Sequence, residues 1–104
     1  VITEIVLFKL PAGMTREQYA ARARESAPAW GANPDLIRKN YLFDAERGYG
    51  GGAYTWRSVA DAQKWHGEAF RQRIREAFGS EPTFTYYDTP ILVDNEAHHI
   101  REAA

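Results

Sequence analysis

The chain has no cysteine. Disulfides, thiolate nucleophiles and Cys-ligated zinc or iron–sulfur centres are therefore excluded, and folding must rest on an apolar core. It also lacks any run approaching the ~18 apolar residues that a membrane span requires. The opening Val1-Ile2-Thr3-Glu4-Ile5 has no cationic lead, so no secretory signal is expected and the location expected is cytoplasmic. There is no excess of one charge: 13 basic and 14 acidic residues mix along the 104 positions, for a net charge of −1. Without a basic stripe to neutralise phosphates, nucleic acid is not an expected partner. Low-complexity stretches and internal repeats are absent as well.

What is present is an ordinary globular balance, 44% hydrophobic and 26% charged, with a marked aromatic content of three Trp, six Tyr and five Phe. The length fits one domain over residues 1–104, able to bury roughly two thirds of its unfolded surface. Ile2–Leu10 is β-branched and apolar up to the turn signal Pro11-Ala12-Gly13, and reads as a first strand. Thr15 followed by Gln18 forms a capping box ahead of Tyr19, Ala23, Ala27 and Trp30 at helical spacing, with Pro28 and Gly31 limiting the helix. Leu36–Phe43 and about Gly51–Arg57 read as two strands joined by the polar loop Asp44–Gly48. Ser58 caps a second helix whose stripe is Val59, Ala62, Trp65 or His66, Ala69, Phe70, Ile74 and Phe78; Gly67 marks a kink and Gly79 its end. Thr83–Val93 reads as the last strand, with Pro90 at an edge or bulge, and Asp94–Ala104 as a peripheral tail.

This order is β-α-β-β-α-β, which folds as an α+β, ferredoxin-like domain: a four-stranded antiparallel sheet with two helices on one face. Two helices cover one face only, yet the strands do not alternate cleanly. Val6, Phe8 and Leu10 oppose Ile5 and Leu7; Ile37, Tyr41 and Phe43 oppose Leu36 and Leu42; Phe84 and Tyr86 oppose Thr85 and Tyr87. Both faces therefore call for cover, and a second copy packed sheet to sheet is the expected homodimer.

The stretch Gly51-Gly52-Ala53-Tyr54-Thr55-Trp56-Arg57-Ser58, leading to Ala62 and Trp65, resembles the core of the YdhR-like monooxygenase family, within the dimeric α+β barrel superfamily that also holds the antibiotic-biosynthesis monooxygenases. Asn33-Pro34-Asp35-Leu36 resembles that family's entry to the second strand, with Asp35 where glycine is common. The resemblance implies a dimeric α+β barrel and, as one activity among several in the superfamily, cofactor-independent oxygenation. Trp65 matches the pocket tryptophan of the haem-degrading members. However, Arg75 stands where they carry a histidine, and the matching region of the first strand carries Phe8 where they carry an asparagine, so that scheme is not expected.

Among residues that could carry chemistry, His66 could accept a proton near neutral pH, while Asp88 and Arg38 could act as base and anion stabiliser. Tyr19, Tyr41, Tyr54, Trp56, Trp65 and Tyr86 are candidates for lining a site for a small aromatic or polyketide-like molecule. Adjacent helical residues point about 100° apart, so Trp65 is expected at the buried stripe and His66 at a pocket rim. His98 and His99 have no third partner in the sequence, so no metal site is expected. Gly48–Ala53 has GxGxxA spacing, but a charged turn precedes it and a strand follows it; without a helix N-terminus for a pyrophosphate, no nucleotide cofactor is expected. The function expected is cofactor-independent monooxygenation of an electron-rich aromatic; a non-catalytic binder of an aromatic metabolite and a redox-neutral isomerase or decarboxylase remain open.

Overall fold

In the computed structural model, which describes residues 1–102, the chain runs β1 (Ile2–Lys9), α1 (Arg16–Gly31), β2 (Leu36–Asp44), β3 (Tyr49–Trp56), α2 (Val59–Trp65), α3 (Glu68–Phe78), β4 (Thr83–Asp88), β5 (Ile91–Asp94) and β6 (His99–Glu102). The first four long strands form an antiparallel sheet in the order β2-β3-β1-β4, with β1 paired to both β3 and β4. This is a ferredoxin-like α+β arrangement. No helix among the described residues is long and apolar enough to cross a membrane.

Local chemistry explains the element boundaries. Thr15 and Gln18 close the capping box reciprocally, Gln18 N donating to Thr15 Oγ1 at 3.1 Å and Thr15 N to Gln18 Oε1 at 2.8 Å. Pro28 does not stop α1; it removes one hydrogen bond near the C-terminus, and the helix runs on to Gly31. Ser58 accepts from Asp61 N to open α2. The helical run then breaks at His66 and Gly67, and α3 starts afresh and ends at Gly79 with φ of 77°.

Alternation puts Glu4, Val6 and Phe8 of β1 and Tyr54 and Trp56 of β3 under the helices, all of them buried. A register shift between Leu36 and Arg38 sets Ile37 in a bulge. Contrary to the simple alternation expected, Leu36 therefore lies in register with Trp56, and Lys39, Tyr41 and Phe43 lie in register with Tyr54, Gly52 and Gly50. The other face carries Ile5 and Leu7 of β1 and Tyr87 of β4, and no helix among the described residues covers it; Leu7 is 38% and Tyr87 57% exposed.

The last strand departs from expectation. It ends at Asp88: Thr89 still donates its N–H to Val1 O, one register step beyond the Ile2–Asp88 pair, but Pro90 has no N–H to continue the ladder. Ile91–Asp94 then pairs with His99–Glu102 as a separate hairpin, so the expected peripheral tail is structured as far as Glu102. Its final two positions lie outside the described residues.

Candidate functional site

Helix α1 meets the sheet firmly near its ends. Tyr19, in its first turns, sends its hydroxyl to the backbone of Gly51, donating to the carbonyl at 2.8 Å and accepting from the N–H at 3.0 Å. Trp30, in its last turn, packs edge-on against Tyr54 at a centroid distance of 5.4 Å. Between these contacts lies a cavity of about 280 Å³, lined by Tyr19, Ser26 and Trp30 of α1, by Phe8, Lys39, Tyr41 and Tyr54 of the sheet, and by Phe70, Ile74 and Phe78 of α3, with exposed Arg22, Glu25 and Arg73 bordering it.

The glycine run makes this packing possible. A Cβ on Gly50 would stand 2.6 Å from Tyr19 Cε1, and one on Gly52 would stand 2.7 Å from Tyr54 Cε1. At Gly51 a Cβ would fall 1.8 Å from the Val6 carbonyl oxygen, a backbone atom that cannot move aside. The glycines thus admit two tyrosine rings and a close strand approach, and all of Gly48–Ala53 after Gly48 lies within β3, not at a helix N-terminus that could hold a pyrophosphate.

Lys39 is the residue in the cavity that sequence reasoning missed. Its Nζ sits over the rings of Tyr41, Trp30 and Tyr54 at 3.9, 4.5 and 4.6 Å. Among the described residues none offers Nζ a hydrogen bond or an ion pair. Burial disfavours the ammonium and lowers its pKa to about 7, with the carboxylate of Glu4 acting in the opposite direction. The three aromatic faces also favour the ammonium, so the amine is poised between its two forms near neutrality. A signal was available: Lys39 shares strand parity with Tyr41 and Phe43, which puts a charge on the apolar face.

Glu4 is the second residue missed, and by the same parity it falls in line with Val6, Phe8 and Leu10. It is fully buried. Its Oε1 accepts from Trp56 Nε1 at 2.9 Å and lies 2.7 Å from His66 Nδ1, at an angle outside hydrogen-bond alignment. Oε2 and His66 Nε2 have no partner among the described residues. Burial raises the pKa of the Tyr54 and Tyr86 phenols, and Glu4's charge raises both further; Tyr19 and Tyr41 are raised chiefly by burial. All four phenols are thus held protonated at neutral pH; the Tyr19 proton is already given to the Gly51 carbonyl, and the Tyr41 hydroxyl is hydrogen-bonded to Ser26 Oγ at 2.5 Å.

The sequence-derived candidates scatter. Tyr19, Tyr41 and Tyr54 line the cavity. Trp56 is buried behind it, bonded to Glu4, and Tyr86 is half-buried on the Glu4 side. The expected placement of Trp65 and His66 is reversed. His66 is 4% exposed, packed by Phe70 at 4.2 Å and Tyr54 at 4.5 Å, rings that separate it from the cavity. Trp65 is 36% exposed and donates Nε1 to Asp35 Oδ2 at 2.9 Å, beside Lys64. That hydrogen bond, then the one from Lys64, holds the Asp35 carboxyl below its usual range. The reversal follows from the break at His66: the helical stripe does not run continuously through both residues. Arg38 is exposed and pairs with Asp94 at the end of β5, and Asp88 is exposed at the end of β4; neither lines the cavity. No group of three His, Asp or Glu among the described residues could hold a metal ion.

A scan against models of known protein families and a search of curated proteins both return no match to this chain.

Proposed function

We propose that the chain is a small-molecule enzyme, a cofactor-independent monooxygenase acting on a flat aromatic or polyketide-like substrate. The observation that carries this reading is an aromatic-walled cavity holding a lysine amine with no acidic partner among the described residues. Its volume of about 280 Å³ lies near the lower end of the ~300–1,000 Å³ usual for ligand sites, suited to two or three fused rings. In this reading Lys39 takes the proton from an acidic C–H or O–H of the substrate, and the phenols of Tyr41 and Tyr54 stabilise the resulting anion. The electron-rich anion reduces dioxygen directly. For an anthrone the methylene becomes a carbonyl, one oxygen atom enters the product, and the other leaves as water with the two hydrogens. Both electron pairs come from the substrate, so no cofactor is needed.

The resemblance to YdhR-like monooxygenases agrees with this reading, as does the uncovered sheet face. Leu7 and Tyr87 are exposed there with Ile5 beside them, and a second copy packed face to face would complete an α+β barrel. Light scattering should report a dimer, and Leu7→Asp should dissociate it.

The deciding test is an oxygen electrode with anthrone as probe. One dioxygen should be consumed per anthraquinone formed, and Lys39→Met should lower turnover by about 10²–10⁴-fold. Saturable anthrone binding without oxygen uptake would instead make the protein a non-catalytic binder of aromatic compounds.

A further inference from the structure

The lone pair that accepts a proton from an acidic ligand is equally available to a carbonyl carbon. We propose that Lys39 is a nucleophile that captures aromatic aldehydes and aryl ketones in this cavity as imines, an inference that rests on the cavity being a small-molecule site. Three observations support it. Nζ is held within 3.9–4.6 Å of three ring faces, so an aryl group stacked in the cavity brings its carbonyl substituent alongside the amine. No carboxylate forms an ion pair with Nζ among the described residues, so none must be displaced. The walls are apolar and aromatic, the setting in which a desolvated lysine becomes a Schiff-base nucleophile.

The step is balanced. The amine nitrogen adds to the carbonyl carbon, and a proton passes from nitrogen to oxygen to give the carbinolamine. Loss of one water then leaves a C=N bond, with no redox partner required. The groups around Nζ that bear on its titration are Glu4 on β1, Tyr41 on its own strand, Tyr54 on β3, Tyr19, Arg22 and Glu25 on α1, and Arg73 on α3. Of these, Glu4 favours the ammonium and burial opposes it. The free-amine fraction therefore rises through pH about 7, where an ordinary lysine is still almost wholly protonated.

The test uses 2-naphthaldehyde with cyanoborohydride, which reduces an imine to a stable secondary amine, and peptide mapping by mass spectrometry to locate the label. Lys9 and Lys64, both exposed, are internal controls. At pH 7 one naphthylmethyl group should appear on Lys39, on the order of 10–100-fold faster than on either control, because a free-amine fraction about 10³-fold larger outweighs the lower intrinsic nucleophilicity of a less basic amine. Excess 2-naphthol, which has the same rings and no carbonyl, should slow that labelling, and Lys39→Met should abolish it in a protein whose circular dichroism is unchanged. Binding of 2-naphthol is read separately through quenching of tryptophan fluorescence. If naphthol binds and the three lysines label alike, Lys39 is not a nucleophile and the cavity reading stands. If naphthol neither binds nor protects, both fall.

Discussion

Glu4 and His66 form the most demanding test of how this core is held. Replacing Glu4 by leucine keeps roughly the same bulk but removes the acceptor facing both Trp56 Nε1 at 2.9 Å and His66 Nδ1 at 2.7 Å. The orphaned indole N–H costs ~1–3 kcal/mol, and stripping the buried imidazole of the carboxylate oxygen 2.7 Å from its Nδ1 brings the loss to roughly 3–5 kcal/mol in all. At ~5 °C per kcal/mol for a domain of this size, the melting temperature should drop by roughly 15–25 °C. His66→Phe should cost a similar amount, because it leaves the Glu4 carboxylate buried with Trp56 alone. The double variant Glu4→Leu/His66→Phe orphans only the indole N–H and should cost about 1–3 kcal/mol, less than either single change. Glu4→Gln, which still offers Trp56 an acceptor, should be milder than Glu4→Leu. Urea unfolding at pH 7, followed by fluorescence and circular dichroism with the m-value as a control, measures all four variants. Single changes costing under about 1 kcal/mol, or a double variant equal to the sum of its singles, would refute the argument that these groups stabilise the core as a pair.

Gly51→Ala should cost more than ~3 kcal/mol, because its Cβ would overlap the Val6 carbonyl, whereas Gly31→Ala, with open space around it, should stay within about 0.5 kcal/mol in the same assay. Lys39 makes stability depend on pH in a definite direction. Its pKa is about 7 when folded against 10.5 ordinarily, so between those values the unfolded chain binds the extra proton and stability rises with pH. Thermal melts from pH 7 to 9.5 should show this rise in the native protein and lose it in Lys39→Met. Trp65→Ala should cost about 1–2 kcal/mol, since the ring is 36% exposed and loses its bond to Asp35; a loss equal to that of a fully buried tryptophan, ~3–5 kcal/mol, would contradict its placement.

Reading the sequence alone recovers much of the fold because its signals are local. The Thr15–Gln18 capping box, the Ser58 cap, Gly79 and the apolar strands each act within a few residues, and together they determine the order β-α-β-β-α-β. The ferredoxin-like topology follows from that order. Two signals of the site were also local and were passed over: Glu4 and Lys39 each share parity with large apolar neighbours, so a charge was bound to face the helices.

What only the tertiary structure decided depends on groups distant in the chain. The β2 bulge at Ile37 determines which residues of that strand turn inward, and it becomes visible only against β3. The break at His66 buries the imidazole and leaves Trp65 outside; its partner Glu4 is 62 positions earlier, beyond the reach of helical periodicity. The cavity is shaped by the aromatic contacts of α1 near its two ends, by α3 and by a floor drawn from three strands. Local spacing specifies which way a side chain points along its own element. Whether it then meets water, a ring or a carboxylate depends on which other elements pack against it, and that is settled only when the chain is folded.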